Sequence, residues 1–219
     1  MVKAHRSILL VALSLFMLSG CGGKGGGSTA QTGAAGEAQA DVALSCVAVL
    51  PASTVVNRDG KVSFEEAKAL EQGARAIDEL LPQVLVKSRV PLRYLSERQM
   101  EGLVGDAGGR PQLVARSVGK QVSCNGVLSL TLRRFKQRVG GNYSADQPAS
   151  VAFSYRLMAV DTGATLCQGE YDETQASLLE NLFAIEKASG RGFLWVTAET
   201  LLREGLAARL GDCRYLAEE

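Results

Sequence analysis

The chain has 219 residues, 24 lysines and arginines against 23 acidic residues, and a hydrophobic fraction of 46%. That near-neutral balance supplies no global electrostatic drive toward nucleic acid, and no nucleic-acid partner is expected. The only histidine, His5, lies in an amino-terminal segment patterned as a cleaved signal, so what remains can run neither Ser-His-Asp nor Cys-His catalysis and cannot use histidine as a metal ligand.

Residues 1–20 read as a signal peptide. Lys3-Ala4-His5-Arg6 forms a positive start, and the apolar stretch over residues 8–18 is too short to span a bilayer as a helix. It runs into Leu18-Ser19-Gly20-Cys21, which resembles the bacterial lipobox: an apolar residue, two small residues that a signal peptidase cleft admits, then a cysteine whose thiol takes the lipid. The resemblance implies a diacylglyceryl thioether and an N-acyl chain on Cys21. Cleavage there leaves 199 residues (219 − 20) and, with Lys3 and Arg6 gone, 22 basic against 23 acidic side chains. At roughly 0.8 kcal/mol per buried CH₂, one acyl chain anchors marginally and two or three anchor durably. Gly22 stands where aspartate marks inner-membrane retention in enteric bacteria, so the resemblance implies an outer-membrane, periplasm-facing position. Residues 21–40 then hold seven glycines and no large apolar side chain after the cysteine, too little to offset ordering entropy. They read as a flexible tether of roughly 20–25 Å root-mean-square span.

Residues 41–219 read as a single α/β domain. Val47-Ala48-Val49-Leu50-Pro51 is a short apolar run ending at proline, the pattern of a buried strand. Ser63-Phe64-Glu65-Glu66 forms a capping box that opens a helix with Ala67, Leu70, Ala74, Ile77 and Leu81 on one face, which Pro82 is expected to kink or end. Leu92-Arg93-Tyr94-Leu95 predicts a second strand, and Ser96 caps a short helix through Met100 and Leu103. After a loop at residues 105–110, Pro111 starts a helix with Leu113, Val114 and Val118 inward, leading to a strand over residues 126–139. This β-α-β-α-α-β order predicts a parallel first half. Strand-like runs at 127–139, 150–161 and 165–174, joined through Gly140-Gly141-Asn142 and Asp161-Thr162-Gly163, predict antiparallel hairpins and hence a mixed sheet. Two carboxy-terminal helices follow, one over residues 177–187 and one capped by Thr197 that Gly211 closes.

The "VAVLP" strand, the long helix, the strand into Ser96-Glu97-Arg98-Gln99-Met100, the "CNGVLSL" strand and the Asp161-Thr162-Gly163 turn together resemble the CsgG/TolB-amino-terminal type of periplasmic α/β domain over residues 44–172. That group includes the curli secretion lipoprotein and penicillin-binding-protein activator lipoproteins. Arg138-Val139-Gly140-Gly141, Pro148-Ala149-Ser150-Val151 and Trp195-Val196-Thr197-Ala198-Glu199 resemble uncharacterised bacterial lipoproteins. The resemblance implies a non-catalytic envelope assembly or accessory factor that works through protein contacts, with no cofactor. A pore like that of the curli channel is not expected, because charges such as Arg133 and Arg134 cost up to about 2–4 kcal/mol each on a lipid face at mid-bilayer.

The remaining candidates are local. Residues 57–66 imitate the later part of an EF-hand loop but lack its first carboxylate, and a strand-to-helix turn explains the same residues. Cys46, Cys124, Cys167 and Cys213 allow three disulfide connectivities. If the strands after Cys46 and Cys124 are parallel neighbours, those two pair and leave Cys167 with Cys213. With no C-x₂-C pair, no zinc or other metal site is expected. Arg133, Arg134, Lys136 and Arg138 fall on one predicted strand and form a candidate anion-binding patch for peptidoglycan or lipopolysaccharide, unless Glu170, Asp172 and Glu173 pair with them across the sheet. Those carboxylates are also the remaining handle for a histidine-independent envelope enzyme. Trp195 reads as a core or staple residue at the start of the last helix.

Overall fold

Val47–Val49 (β1) is apolar on both faces because it sits inside the sheet with both faces covered. Leu92–Tyr94 (β3) and Gly126–Lys136 (β4) flank it, both parallel to it, with Val47 opposite Leu92 on one side and Gly126 on the other. The structure, a computed structural model, describes residues 42–55, 62–104, 110–141, 145–175 and 195–217. The lipobox with Cys21, the tether, residues 57–61 of the calcium-loop-like stretch and the helix expected at 177–187 lie outside the described residues.

After β1 the strand is interrupted at Leu50-Pro51 and resumes as Ser53–Thr54 (β2), which pairs with β4 at Thr131 and Leu132. Pro51 has no N–H to give the ladder. The next one, on Ala52, leaves the sheet and donates to Asp78 Oδ1 at 2.9 Å. Asp78 lies on Phe64–Val84 (α1), whose capping box forms as expected: Glu66 N–H donates to Ser63 Oγ and Ser63 N–H to Glu66 Oε2, both at 3.3 Å. Leu70, Gly73, Ala74, Ile77, Leu80 and Leu81 are its buried residues. Pro82 does not end this helix. It occupies the last turn, where Leu85 N–H still reaches Leu81 O at 2.9 Å, and burial of Leu80, Leu81 and Leu85 outweighs the one hydrogen bond a proline forfeits.

Glu97–Val104 (α2) is entered through Ser96 and Gln99 in the same reciprocal manner. Pro111–Gln121 (α3) has Pro111 in its first turn, but its inward residues are Ala115, Val118 and Gly119. Leu113 is 49% exposed. It stands two positions before Ala115, on the opposite side of a 3.6-residue turn, whereas Val114 shares the face of Val118.

β4 changes partner type along its flank. Its first residues pair in parallel with β1, and its whole length pairs antiparallel with Ser150–Ala159 (β7), which pairs antiparallel with Thr165–Thr174 (β8). The sheet order is β3-β1-β4-β7-β8 with β2 also on β4, so the domain is α/β with a mixed sheet. Asp161-Thr162-Gly163 makes the β7–β8 turn, with Gly163 at φ +73°, in the region that favours glycine. β4 stops at Lys136, short of the expected residue 139. Gln137 instead turns to the start of Ala198–Gly211 (α4), where its Oε1 accepts from Ala198 N–H at 3.2 Å. Val139–Gly140 (β5) and Ala145–Gln147 (β6) form a separate two-stranded ladder. Gly211 lies inside α4, which Asp212 closes.

The core has two faces. One gathers Leu128, Leu130, Leu132, Phe153 and Leu157 against α1 and α4. The other, smaller, places Ala48, Leu50, Val127 and Met158 against Ala115 and Val118 of α3. Among the described residues, α2 and α3 therefore cover only part of their side of the sheet.

Candidate functional site

The four cysteines of the domain are joined as Cys46–Cys124 and Cys167–Cys213, with Cα separations of 4.8 and 5.8 Å. The first pair precedes β1 and β4, which run parallel side by side and so carry their leading residues at one end of the sheet. Asn125 ties the same end together, accepting from Ser45 N–H and donating to Ala43 O, both at 2.9 Å.

The basic residues do not share one strand, because Arg138 lies beyond the end of β4. Each is engaged locally. Arg133 reaches Glu170 at 3.3 Å, and Arg134 bonds Asp172 across the small Ala152 that separates them in register. Arg134 and Asp172 also form an ion pair. Lys136 Nζ lies 4.0 Å from Glu66 Oε1, and Arg138 donates to Trp195 O at 2.5 Å. Half-exposed pairs of this kind add about 0–1 kcal/mol each. Their larger consequence is that the row of cations is matched by a row of anions. Glu173 sits on the opposite face of β8, where Tyr171 Oη donates to it at 2.9 Å, and Trp195 is half-buried at the entry to α4.

Two crevices open at the carboxyl ends of the parallel strands. This is where α/β sheets leave room, because the connections from β1 to β3 and from β3 to β4 lie on opposite faces and part company there. The smaller, about 670 Å³, is lined by Asp78, Tyr94, Glu97 and Arg98. Burial raises the pKa of Asp78; the hydrogen bond from Ala52 works against this and Glu97 adds to it, while burial alone raises that of Tyr94. A carboxyl raised on folding favours the folded state when protonated, and that contribution is lost as pH climbs through its folded value. Asp78→Asn keeps an acceptor for Ala52 N–H without the buried charge. It is expected to be more stable than the parent at pH 7, by a margin that shrinks toward pH 4, when both are unfolded in urea. Equal stabilities at the two pH values would show that the charge is not what costs.

The larger crevice, about 1030 Å³, lies on the uncovered part of the α3 side of the sheet. Its floor follows from the alternation of β4, β7 and β8. One cross-strand row reads Ser53, Thr131, Ser154, Glu170, and the next Ser129, Arg156, Gln168. Ser53 Oγ and Thr131 Oγ1 are 2.9 Å apart. Arg110, at the start of α3, stands on the wall, with Met100 and Val114 lining the covered end. Arg110 and Arg156 are exposed and, among the described residues, neither side chain makes a hydrogen bond or ion pair. Sequence reasoning missed this site. The alternation that turns Ser129 and Thr131 outward was visible, but the register aligning them with Ser154 and Arg156 was not. Among the described residues, no group of three metal-ligating side chains gathers.

The architecture is thus a disulfide-linked α/β domain with a mixed sheet and a partly open polar sheet face. No family model matches the chain, and no curated protein matches it. Among solved structures, partial likeness is found to the PelC dodecamer from Paraburkholderia phytofirmans, at 13% identity over 80% of this chain and 89% of that one, TM-score 0.41. The LpoB C-terminal domain from Salmonella enterica is similar at 15% identity over 62% and 87%, TM-score 0.36. The lipoprotein GNA1162 from Neisseria meningitidis is similar at 13% identity over 68% and 93%, TM-score 0.32.

Proposed function

We propose that this chain is a lipid-anchored, periplasm-facing lipoprotein of the outer membrane that serves as a non-catalytic envelope assembly or accessory factor through protein contacts, on a domain of the CsgG/TolB-amino-terminal type. The observation that carries the reading is the sequence of the first 40 residues: a charged start, a short apolar stretch, Leu18-Ser19-Gly20-Cys21, and a glycine-rich spacer ahead of the domain. Such a spacer holds the domain within a few tens of ångströms of its anchor, about 20–25 Å on average, which suits engagement of a neighbouring envelope protein rather than a diffusing substrate. The two disulfides fit an oxidising compartment. Lack of histidine in the mature chain and engagement of Glu170, Asp172 and Glu173 by Arg133, Arg134 and Tyr171 favour a non-catalytic role.

The test compares wild type with Cys21→Ser in fractionated, crosslinked bacterial envelopes. Wild type is expected in the outer-membrane fraction, crosslinked to a discrete protein and carrying the diacylglyceryl mass on its amino-terminal peptide, with the variant shifted out of that fraction. Identical fractionation of the two would overturn the anchor, and crosslinking to glycan alone would overturn the protein-contact role.

A further inference from the structure

We propose that the open polar rows on the α3 side of the sheet are a binding site whose ligand is a glycan carrying carboxylate groups. The inference is independent of the anchor and of any protein partner, since it rests on the crevice alone.

The chemistry of the floor selects the ligand. β4 and β7 are interior strands, so their backbone N–H and C=O groups are spent in the ladders on either side. On these two strands nothing remains for the backbone pairing by which an extended peptide joins a sheet edge, and among the described residues a free edge of the sheet lies beyond them, on β8. What the floor offers is side chains, all on one face: the hydroxyls of Thr131 and Ser154, the amide of Gln168, and the hydroxyl oxygens of Ser53 and Ser129, which donate to Leu130 O and Arg156 O and so face a ligand as acceptors. Strands lie about 4.8 Å apart and same-face residues about 6.8 Å apart along each strand, so these groups form a grid of donors and acceptors. A grid of hydroxyls and an amide is complementary to a polyol and wasted on an acyl chain.

Charge narrows the ligand further. Glu170 is matched by Arg133, whereas among the described residues Arg110 on the wall and Arg156 at the centre of the floor meet no carboxylate. Two unspent guanidinium forks facing one crevice favour planar anions held by paired N–H donors, the geometry of a carboxylate. The apolar patch at the covered end, Met100 with Val114, gives a sugar ring a C–H face to lie against. A volume of about 1030 Å³ is at the upper end of small-molecule sites, room for a few sugar units rather than one. No aromatic stacking platform of the kind that single-stranded nucleic acid requires is present in either polar row.

The experiment uses the full chain in detergent micelles and isothermal titration with three probes: a hexamer of galacturonic acid, neutral maltohexaose and a hexamer of glutamate. The galacturonate hexamer is expected to bind, more weakly as salt rises from about 50 to about 300 mM. Arg156→Ala and Arg110→Ala are each expected to weaken it about tenfold or more, since a hydrogen bond to a charged group is at stake. Neither side chain holds the fold together, so the unfolding midpoint of each variant should match wild type. Arg75→Ala, on α1 across the sheet, should bind like wild type. No measurable galacturonate binding, unchanged affinity in both arginine variants, or equal binding of maltohexaose or of glutamate hexamer would each overturn the assignment.

Discussion

Phe153→Ala is expected to lower the unfolding free energy by about 3–5 kcal/mol, a large share of the stability of any single domain. Phe153 sits at the middle of β7 with no exposed surface, in the cross-strand row Leu132, Phe153, Tyr171 that faces α1 and α4. Its ring stacks on that of Tyr171, centroids 5.3 Å apart. α4 closes over the same pair at Gly205, where a Cβ would come within 2.7 Å of the Tyr171 ring. Helix, tyrosine and phenylalanine are therefore stacked without room to slump into the space the ring vacates, which puts the loss at the high end for a cavity. For a domain of this size the melting temperature should fall by roughly 6–20 °C. Urea unfolding followed by circular dichroism measures it, with Arg156→Ala on the opposite face of the same strand as the internal control. A cost below about 1 kcal/mol would mean that β7 does not turn its odd-numbered residues to the helices, and the polar rows on its other face would be misplaced with them.

The parts of the fold legible in the sequence are those written in local chemistry. The Ser63–Glu66 capping box, the cap at Ser96 and the Asp161-Thr162-Gly163 turn each specify their own geometry within four residues, and each forms as read, with Gln99 completing the cap at Ser96. Where tertiary packing competes with a local signal, the local signal loses. Pro82 is overridden by the burial of Leu80, Leu81 and Leu85, and the strand expected to reach residue 139 is cut short at Lys136, where Gln137 serves the first turn of α4, distant in sequence. Leu113 was misjudged because hydrophobicity was read without its place on the helical turn. The candidate site is harder still. A basic row at 133–138 stands out in the sequence, yet its charge is met by residues more than thirty positions away. Arg156, alone in an apolar strand, gave no signal, and Arg110 lay in what read as a loop. Strand register places Arg156, and the seating of α3 places Arg110, beside the same hydroxyls.

Removing the Cys167–Cys213 bridge should be the other costly change. With the partners 46 positions apart in the chain, the chain-entropy account gives about 4 kcal/mol, within a typical range of about 2–5 kcal/mol for a native disulfide. The bridge fastens the edge strand of the sheet to the end of α4. Among the described residues, β8 has a neighbouring strand on one side only, so the ladder to β7 and the packing of α4 are what hold it. Cys213 is 1% exposed, so replacement by serine would bury a hydroxyl in an apolar site and confuse the measurement. The paired Cys167→Ala and Cys213→Ala variant avoids that. It is expected to lose about 3–4 kcal/mol in urea unfolding. Amide exchange should accelerate first along β8 and the last turn of α4, while α3 and β1, held by the separate Cys46–Cys124 bridge, stay protected. The Cys46–Cys124 bridge closes a longer loop of 78 residues, but it joins segments that β1 and β4 already hold side by side. Loss below about 1 kcal/mol, or exchange that accelerates evenly through both halves, would show that the edge strand does not depend on its bridge. The edge would then be held by its ladder alone, and the open polar face between β4 and β8 would stay rigid without help from α4.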